Sequence, residues 1–127
     1  MADVVFDHLV LGASETVPSQ ALRNTGNAYI VEVKWLGRTA SGTSGVTLNL
    51  QGSNDMEHWD TLTTTGLTIG TTFSPPYRQV WRLAPGATGP VLELSDAYDY
   101  VRLQVANNDS TANQLLSATL DITRYNT

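Results

Sequence analysis

The chain contains no cysteine. A disulfide framework, a thiolate metal site and a cysteine nucleophile are therefore all excluded, and stability has to come from burial and hydrogen bonding. Clusters of basic residues are also missing, because six arginines and Lys34 are scattered singly through a chain of formal net charge −5. Nucleic-acid binding needs a basic surface that displaces counterions from phosphates, so the sequence argues against a DNA or RNA partner.

Long apolar runs are absent as well. No stretch approaches the roughly 20 apolar residues that cross a bilayer, so we expect no membrane association. The N-terminal sequence MADVVFDHLVLG has two acids and no basic segment, which is unlike a secretory signal. We therefore expect a soluble protein that is made without cleavage.

Helical periodicity is missing too, and apolar residues instead alternate with period two. From Tyr29 to Trp35, in the segment YIVEVKW, every second residue is apolar and shares one side of the predicted strand. The same alternation recurs in residues 46–51, 100–106 and 116–125. Such segments are typical of half-buried antiparallel strands.

Weaker patterns predict further strands, which brings the total to about nine or ten. These weaker candidates are residues 4–11, 15–22, 58–63, 67–73, 77–83 and 90–95. Short strands with one apolar face each must stack as two sheets or close into a barrel. We predict one all-β domain over residues 1–127 with little or no helix, an antiparallel two-sheet sandwich of jelly-roll or similar Greek-key topology. Residues 1–12 form an N-terminal arm or edge strand in this prediction.

The stretch LQGSNDMEHWDTL, residues 50–62, puts a polar run between two Thr-rich apolar segments. Its simplest interpretation is a structural hairpin turn, because glycine permits a bulge and Asn or Asp side chains bond their own backbone in turns. The residues assigned to this turn are Gly52, Ser53, Asn54, Asp55 and Trp59. The indole of Trp59, like that of Trp35, is expected to be buried in the core.

A metal site is the alternative for the same loop. Asp55, Glu57, His58 and Asp60 could supply oxygen and nitrogen ligands to calcium, although the order of a calcium loop is missing. Zinc is disfavoured because the chain has only two histidines and no cysteine. We predict that the chain binds no metal and no cofactor.

The sequence offers little evidence of a catalytic motif. A Ser-His-Asp arrangement can be assembled on paper, but no G-x-S-x-G nucleophile elbow occurs. Four acids could meet as paired carboxylates of the glycosidase kind, although solvated acids on a sheet face explain them better. These acids are Glu32, Glu93, Asp96 and Asp99. We predict that the chain is not an enzyme.

Aromatic and arginine side chains lie close together in the segment YRQVWR. Because such residues are enriched at protein interfaces, we predict a contact surface here. Its members are Tyr77, Arg78, Trp81 and Arg82.

Two segments resemble known β-sandwich proteins. VTLNLQGSNDMEHWDTL, residues 46–62, and YDYVRLQV, residues 98–105, resemble a strand, a Gly-Ser-Asn-Asp turn, a Trp and a later Tyr-x-Tyr-Val-Arg strand. This pattern is similar to that of small jelly-roll virion proteins of tailed bacteriophages, of the head decoration or cement type. The hairpin is also similar to that of discoidin-like carbohydrate-binding domains, in which it is scaffold and ligands bind at loops.

The resemblance to cement proteins implies a non-enzymatic capsid decoration protein that braces the phage head. It would be made in the host cytoplasm, become part of the virion and bind the major capsid protein or other virion subunits, as a homo-oligomer with a trimer favoured. The alternative is a discoidin-like module that binds a glycan, carried on a tail or receptor-binding assembly. That alternative fits less well, because this chain is short and lacks the terminal cysteines common in secreted discoidin-like domains.

Overall fold

The computed structural model describes residues 2–39, 44–63, 66–70, 73–84 and 98–124, and within these ranges no residue is helical. Accordingly, none of the described segments is a helix that could cross a membrane. The regular structure of the described residues consists of ten strands: β1 (Ala2–Leu11), β2 (Thr16–Pro18), β3 (Leu22–Arg23), β4 (Ala28–Arg38), β5 (Val46–Ser53), β6 (Asp60–Thr61), β7 (Leu67–Ile69), β8 (Tyr77–Leu83), β9 (Tyr100–Asn107) and β10 (Gln114–Thr123).

The strands form two antiparallel sheets that pack against each other. One sheet has four strands in the order β1-β10-β4-β8. The other has six, in the order β2-β9-β5-β6, with β3 also paired to β9 and β7 to β5. The predicted all-β sandwich is therefore confirmed.

The core lies between the sheets, where the alternating apolar residues meet. Val31, Val33 and Trp35 of β4 are fully buried, as are Leu48 and Leu50 of β5. Burying the Trp35 indole is compatible with its polar group, because its Nε1 donates a 3.0 Å hydrogen bond to Oε1 of buried Gln114.

The weaker strand predictions are confirmed to different extents. Strand β8 has the bounds 77–83 that were predicted, whereas the segments 58–63 and 67–73 are shorter than expected. The segment 15–22 is split into β2 and β3, because Ser19 interrupts the ladder: its hydroxyl accepts a hydrogen bond from Leu103 N and thereby replaces a backbone carbonyl. The candidate strand at residues 90–95 lies outside the described residues.

Strand β1 is one edge of the four-stranded sheet, and β8 is the other. The pairing of β1 with β10 shifts register twice between Val4 and Leu9, which marks β-bulges. His8 adopts a left-handed φ of 51°, and its backbone N donates to Oγ of Ser117, 2.9 Å away. The N-terminal segment is thus an edge strand with an irregular middle.

A polar cluster closes one end of the sandwich. Buried Asn107 at the end of β9 donates from Nδ2 to the carbonyls of Leu11, Gly12 and Ala112 at 3.3, 2.9 and 2.8 Å. Nearby, the Asp109 carboxylate accepts hydrogen bonds from backbone N–H groups, Thr111 foremost, which hold its pKa well below the ordinary value of 3.8. This cluster connects the ends of both sheets.

Candidate functional site

The loop between β5 and β6 is closed by its own side chains. Oγ of Ser53 accepts hydrogen bonds from the backbone N of Asp55 and of Met56 at 3.2 and 2.9 Å. Oδ1 of Asp55 in turn accepts from the backbone N of Glu57 and of His58, both at 2.8 Å. Ser and Asp side chains thus take the turn-forming roles that their composition indicates.

The candidate metal ligands of this loop are only partly brought together. Ligand atoms of Asp55, Glu57 and His58 lie within 4.8 Å of one another, and all three residues are exposed. The Asp55 carboxylate, however, is already an acceptor for the loop, and its Oδ2 lies 2.7 Å from Nδ1 of His58. Asp60 lies outside this group and accepts a 2.7 Å hydrogen bond from the Tyr98 hydroxyl instead.

These contacts shift the pKa values of both members of the Asp55–His58 pair. Hydrogen bonds from the backbone and then the side chain of His58 are the largest causes that hold the pKa of Asp55 far below its ordinary value of 3.8. The hydrogen bond to Asp55 raises the pKa of His58 above 6.5. The contact between Asp55 and His58 therefore stabilises the turn at the protein surface.

Trp59 is not a core residue, so that prediction is wrong. Its ring is half-buried on the outer side of the six-stranded sheet, with the Arg102 guanidinium carbon 4.1 Å above the ring centroid. The reason is that β6 begins only at Asp60, so the alternation of a strand does not govern Trp59. Leu62, which is 2% exposed, supplies the buried side chain from this segment.

The same loop anchors the start of β9. Oδ1 of Asn54 accepts a 2.8 Å hydrogen bond from Asp99 N, and the Tyr98 hydroxyl donates to Asp60, which raises the pKa of Tyr98 above 10.0. A Cβ at Gly52 would lie 2.6 Å from Cγ of Tyr98, so only glycine leaves room for that ring. The Gly-Ser-Asn-Asp stretch thus joins the hairpin to a strand distant in sequence.

The predicted contact residues of β8 lie on two different faces. Tyr77 and Trp81 are partly buried and pack against the core, and Phe73 stacks on Tyr77 with ring centroids 4.2 Å apart. Arg78 and Arg82 alternate with them and are exposed on the outer face. The four residues therefore do not form one continuous aromatic and arginine surface, and their role at an interface stays a prediction.

One of these two outward arginines, Arg78, is already part of an ion pair. Nη2 of Arg78 donates to Oε2 of Glu32 at 2.9 Å, across the β4–β8 ladder. This hydrogen bond is the largest cause that holds the pKa of Glu32 below its ordinary value of 4.5.

The acids proposed as paired carboxylates are not brought together where they are described. Glu32 belongs to the four-stranded sheet, whereas Asp99 precedes β9 in the six-stranded sheet. Glu93 and Asp96 lie outside the described residues.

An acid, a histidine and a serine do meet at the bulge of β1. Nδ1 of His8 lies 2.7 Å from Oδ1 of Asp7. The hydroxyl of Ser117, however, is bonded to the backbone N of His8 rather than to its ring. Both side chains of the acid–histidine pair are more than 70% exposed, at 76% and 72%, so this contact lacks the water-shielded setting of a nucleophilic site.

Sequence reasoning missed a surface that we call the outer face, the solvent side of the four-stranded sheet. Aliphatic residues occur here at outward positions in all four strands: Val4, Val10, Ile30, Leu36, Val80 and Leu115. Val4 and Val10 are 57% and 64% exposed. The signal was present in the alternation itself, whose second phase contains these residues.

The outer face is grooved and electrically neutral. A groove of about 390 Å³ runs over Ser117 and Thr119 between β1 and β4, and a smaller one of about 180 Å³ borders β8; both are lined by Lys34 and Leu36. Outward charges are balanced between three cations and three acids: Lys34, Arg78, Arg82, Asp7, Glu32 and Asp121. The formal net charge of −5 is therefore carried by the rest of the chain.

Comparisons with known proteins leave the family open. The chain matches no protein-family model, and neither a curated protein nor a solved structure is significantly similar to it.

Proposed function

We propose that this chain is a non-enzymatic structural protein of a tailed-phage virion, a decoration or cement protein that stabilises the head. In this proposal it is made in the host cytoplasm, becomes part of the virion as a homo-oligomer with a trimer favoured, and binds the major capsid protein or other virion subunits. The resemblance of residues 46–62 and 98–105 to such proteins supports this class.

The finer topology that goes with this proposal is a jelly roll. Jelly rolls contain eight strands in two sheets. If the short neighbours β2 with β3 and β6 with β7 each count as one interrupted strand, the described part of the chain has four strands in each sheet. The observed orders β1-β10-β4-β8 and β2-β9-β5-β6 also alternate early and late strands, which is consistent with the long connections of a Greek key.

The observation that carries the proposal is the outer face. Aliphatic side chains that remain outward on a sheet have no role in the core, and exposed apolar side chains bordered by polar groups are typical of protein interaction sites. Its neutral charge suits close contact with another protein surface, because charges left unpaired in an interface are costly to desolvate. We infer that the outer face attaches the protein to the capsid.

Co-sedimentation with phage heads tests this function. The purified chain is mixed with heads of the phage that encodes it, stripped of the protein, and the heads are pelleted. The wild type is expected to pellet with the heads, and Leu36→Asp to stay in the supernatant because it places a charge at a residue that lines both grooves of the outer face. Thr16→Asp, an exposed position on the opposite side of the sandwich, is the matched control and should still pellet. A wild type that never pellets overturns the proposal.

A carbohydrate-binding module is the second candidate, and one observation favours it. Trp59 is half-exposed, and sugars commonly stack on exposed aromatic faces. Arg102, however, already covers one side of this ring. A glycan array distinguishes the two: binding that is lost in Trp59→Ala would support the carbohydrate module, and no binding on the array would remove it.

A further inference from the structure

The two edge strands of the four-stranded sheet carry opposite charges. Strand β1 contains Asp3 and Asp7 and no lysine or arginine, whereas β8 contains Arg78 and Arg82 and no acid. All four residues are exposed. Among the described strands, neither β1 nor β8 has a partner on its outer side.

We propose that copies of this chain associate head to tail, with β1 of one copy beside β8 of the next. This inference rests on the homo-oligomer of the proposed function and names the two surfaces that meet in it. It does not depend on capsid binding by the outer face. Like edges repel, because β1 beside β1 brings acids together and β8 beside β8 brings arginines together. The charges thus favour the unlike contact over the two symmetric ones.

The strand directions fit this contact. Each neighbouring pair in the order β1-β10-β4-β8 is antiparallel, so β1 and β8 run in opposite directions. When the next copy is rotated about an axis parallel to the strands, its β8 meets β1 in the antiparallel sense. The four-stranded sheet then continues from copy to copy with its own geometry.

The heights of the charges along the strands also fit. The ladder aligns Ala2, Asp121, Ile30 and Arg82 in one row across the sheet, so Asp3 lies one residue from the level of Arg82. Four residues further along the strands, Ser117, Lys34 and Arg78 are aligned, and Ser117 is bonded to His8, the neighbour of Asp7.

A closed ring requires this match in height. Rotation about a ring axis involves no translation along that axis. The acids of one copy therefore arrive at the level of the arginines of the next. If the charges of the two edges were offset along the strands, pairing them would require a rise from each copy to the next. The assembly would then be an open filament and not a ring.

The bulges of β1 limit how much backbone pairing the contact between β1 and β8 can contain. Between Val4 and Leu9 the strand cannot offer a regular ladder, so backbone pairing is restricted to its two ends. In the irregular middle the contact depends on side chains, mainly the Asp7 carboxylate reaching an arginine. Because Arg78 also pairs with Glu32, Arg82 is the cleaner position to mutate.

Charge reversal with light scattering after size-exclusion chromatography tests the proposal on the chain alone. The wild type is expected as a closed assembly of three or more copies. Asp3→Lys with Asp7→Lys, or Arg82→Glu, should raise the concentration needed for assembly by more than about tenfold, since like charges in contact cost more than the 1.4 kcal/mol of one decade. Combining Asp3→Lys with Arg82→Glu in one chain should restore assembly, because the acid and the arginine that lie at nearly the same level have then exchanged signs while Asp7 and Arg78 keep theirs.

Two control variants reverse a single charge elsewhere. Glu57→Lys lies on the exposed loop and Arg23→Glu on β3 of the other sheet, and both should assemble like the wild type. Circular dichroism and melting temperature verify folding of each variant. A wild type that is monomeric or dimeric, or an assembled Arg82→Glu, overturns the inference. Capsid binding by the outer face is measured separately, so either proposal can fail while the other holds.

Discussion

The outer sides of the two sheets differ in what their polar groups do. On the six-stranded sheet the side chains bond one another: Thr63 donates to Asn49 at 2.8 Å, and Nε of Arg102 donates to Gln51 at 2.8 Å. Such a side is satisfied within the molecule and offers a partner little that is not already used. It therefore supports stability.

The outer face of the four-stranded sheet has the opposite character. Two of its aliphatic side chains, Val4 and Val10, are more than half exposed, so a partner would gain their burial. Both sides cover the same core, so the proposed function assigns stability to one side and association to the other. Substitutions on one side should change the free energy of unfolding, and those on the other should change association.

The largest effect is expected where neither side is involved, at the cluster that joins the sheets. Asn107→Ala removes the donor for three carbonyl groups, two of them buried, and should lower the free energy of unfolding by about 3 kcal/mol. Urea unfolding measures this loss. The control Asn108→Ala, an exposed neighbour whose amide bonds only the Thr47 hydroxyl, should lose under about 1 kcal/mol. Equal losses would show that the cluster does not connect the sheets energetically.

A smaller effect compares the two sides directly. Gln51, which is 6% exposed, accepts from Arg102 and donates to Gln104, so Gln51→Ala should cost about 1–2 kcal/mol. Val4→Thr on the outer face should change the free energy of unfolding by less than about 0.5 kcal/mol, because Val4 is already exposed to water. If Val4→Thr were the more damaging of the two, the division between the sides would be broken.

Acid should act on the interior cluster as well. The folded pKa of Asp109 lies below 3.8, so its stabilising contribution is fully present above that value and is lost as the pH falls through the folded pKa. We expect the melting temperature to fall below about pH 4, and Asp109→Asn to be less stable at neutral pH with a flatter acid limb. Melting curves between about pH 2 and 7 measure this. A variant whose acid limb is as steep as that of the wild type would contradict the assignment.

The smallest effect is expected at the surface loop. The pKa of His58 lies above 6.5, so its contribution is present below pH 6.5 and is lost as the pH rises through the folded pKa. Proton NMR titration should show the raised pKa in the wild type and a return toward the ordinary value in Asp55→Asn. An unchanged His58 titration in that variant would mean that Asp55 is not its partner.

The interior of the sandwich could be predicted from the sequence, since alternation is a local property. The phase that begins at Tyr29 predicts Val31, Val33 and Trp35 as core, and all three are fully buried. Trp59 was mispredicted because alternation was extended into a loop, where position is set by long-range stacking on Arg102. The short sequence window contains no sign of that contact.

The polar cluster and the outer face were not predicted from the sequence, for different reasons. In NNDSTAN, Asn107 and Asp109 indicate only a turn, because the carbonyls that Asn107 bonds include those of Leu11 and Gly12, at the other end of the chain. The outward aliphatics were visible, but a single Leu36 or Val80 on a strand has no meaning by itself. Only strand order places them side by side on one sheet.

Strand order also has a consequence for how the protein is made. The last strand, β10, inserts between the first, β1, and β4, and Ala2 pairs with Asp121. On the ribosome, Phe6 and Leu11 of β1 therefore stay uncovered until β10 has been synthesised. This domain should fold only after β10 has left the ribosome, slowly in comparison with folds of local contacts, and β1 is the segment that a chaperone would hold.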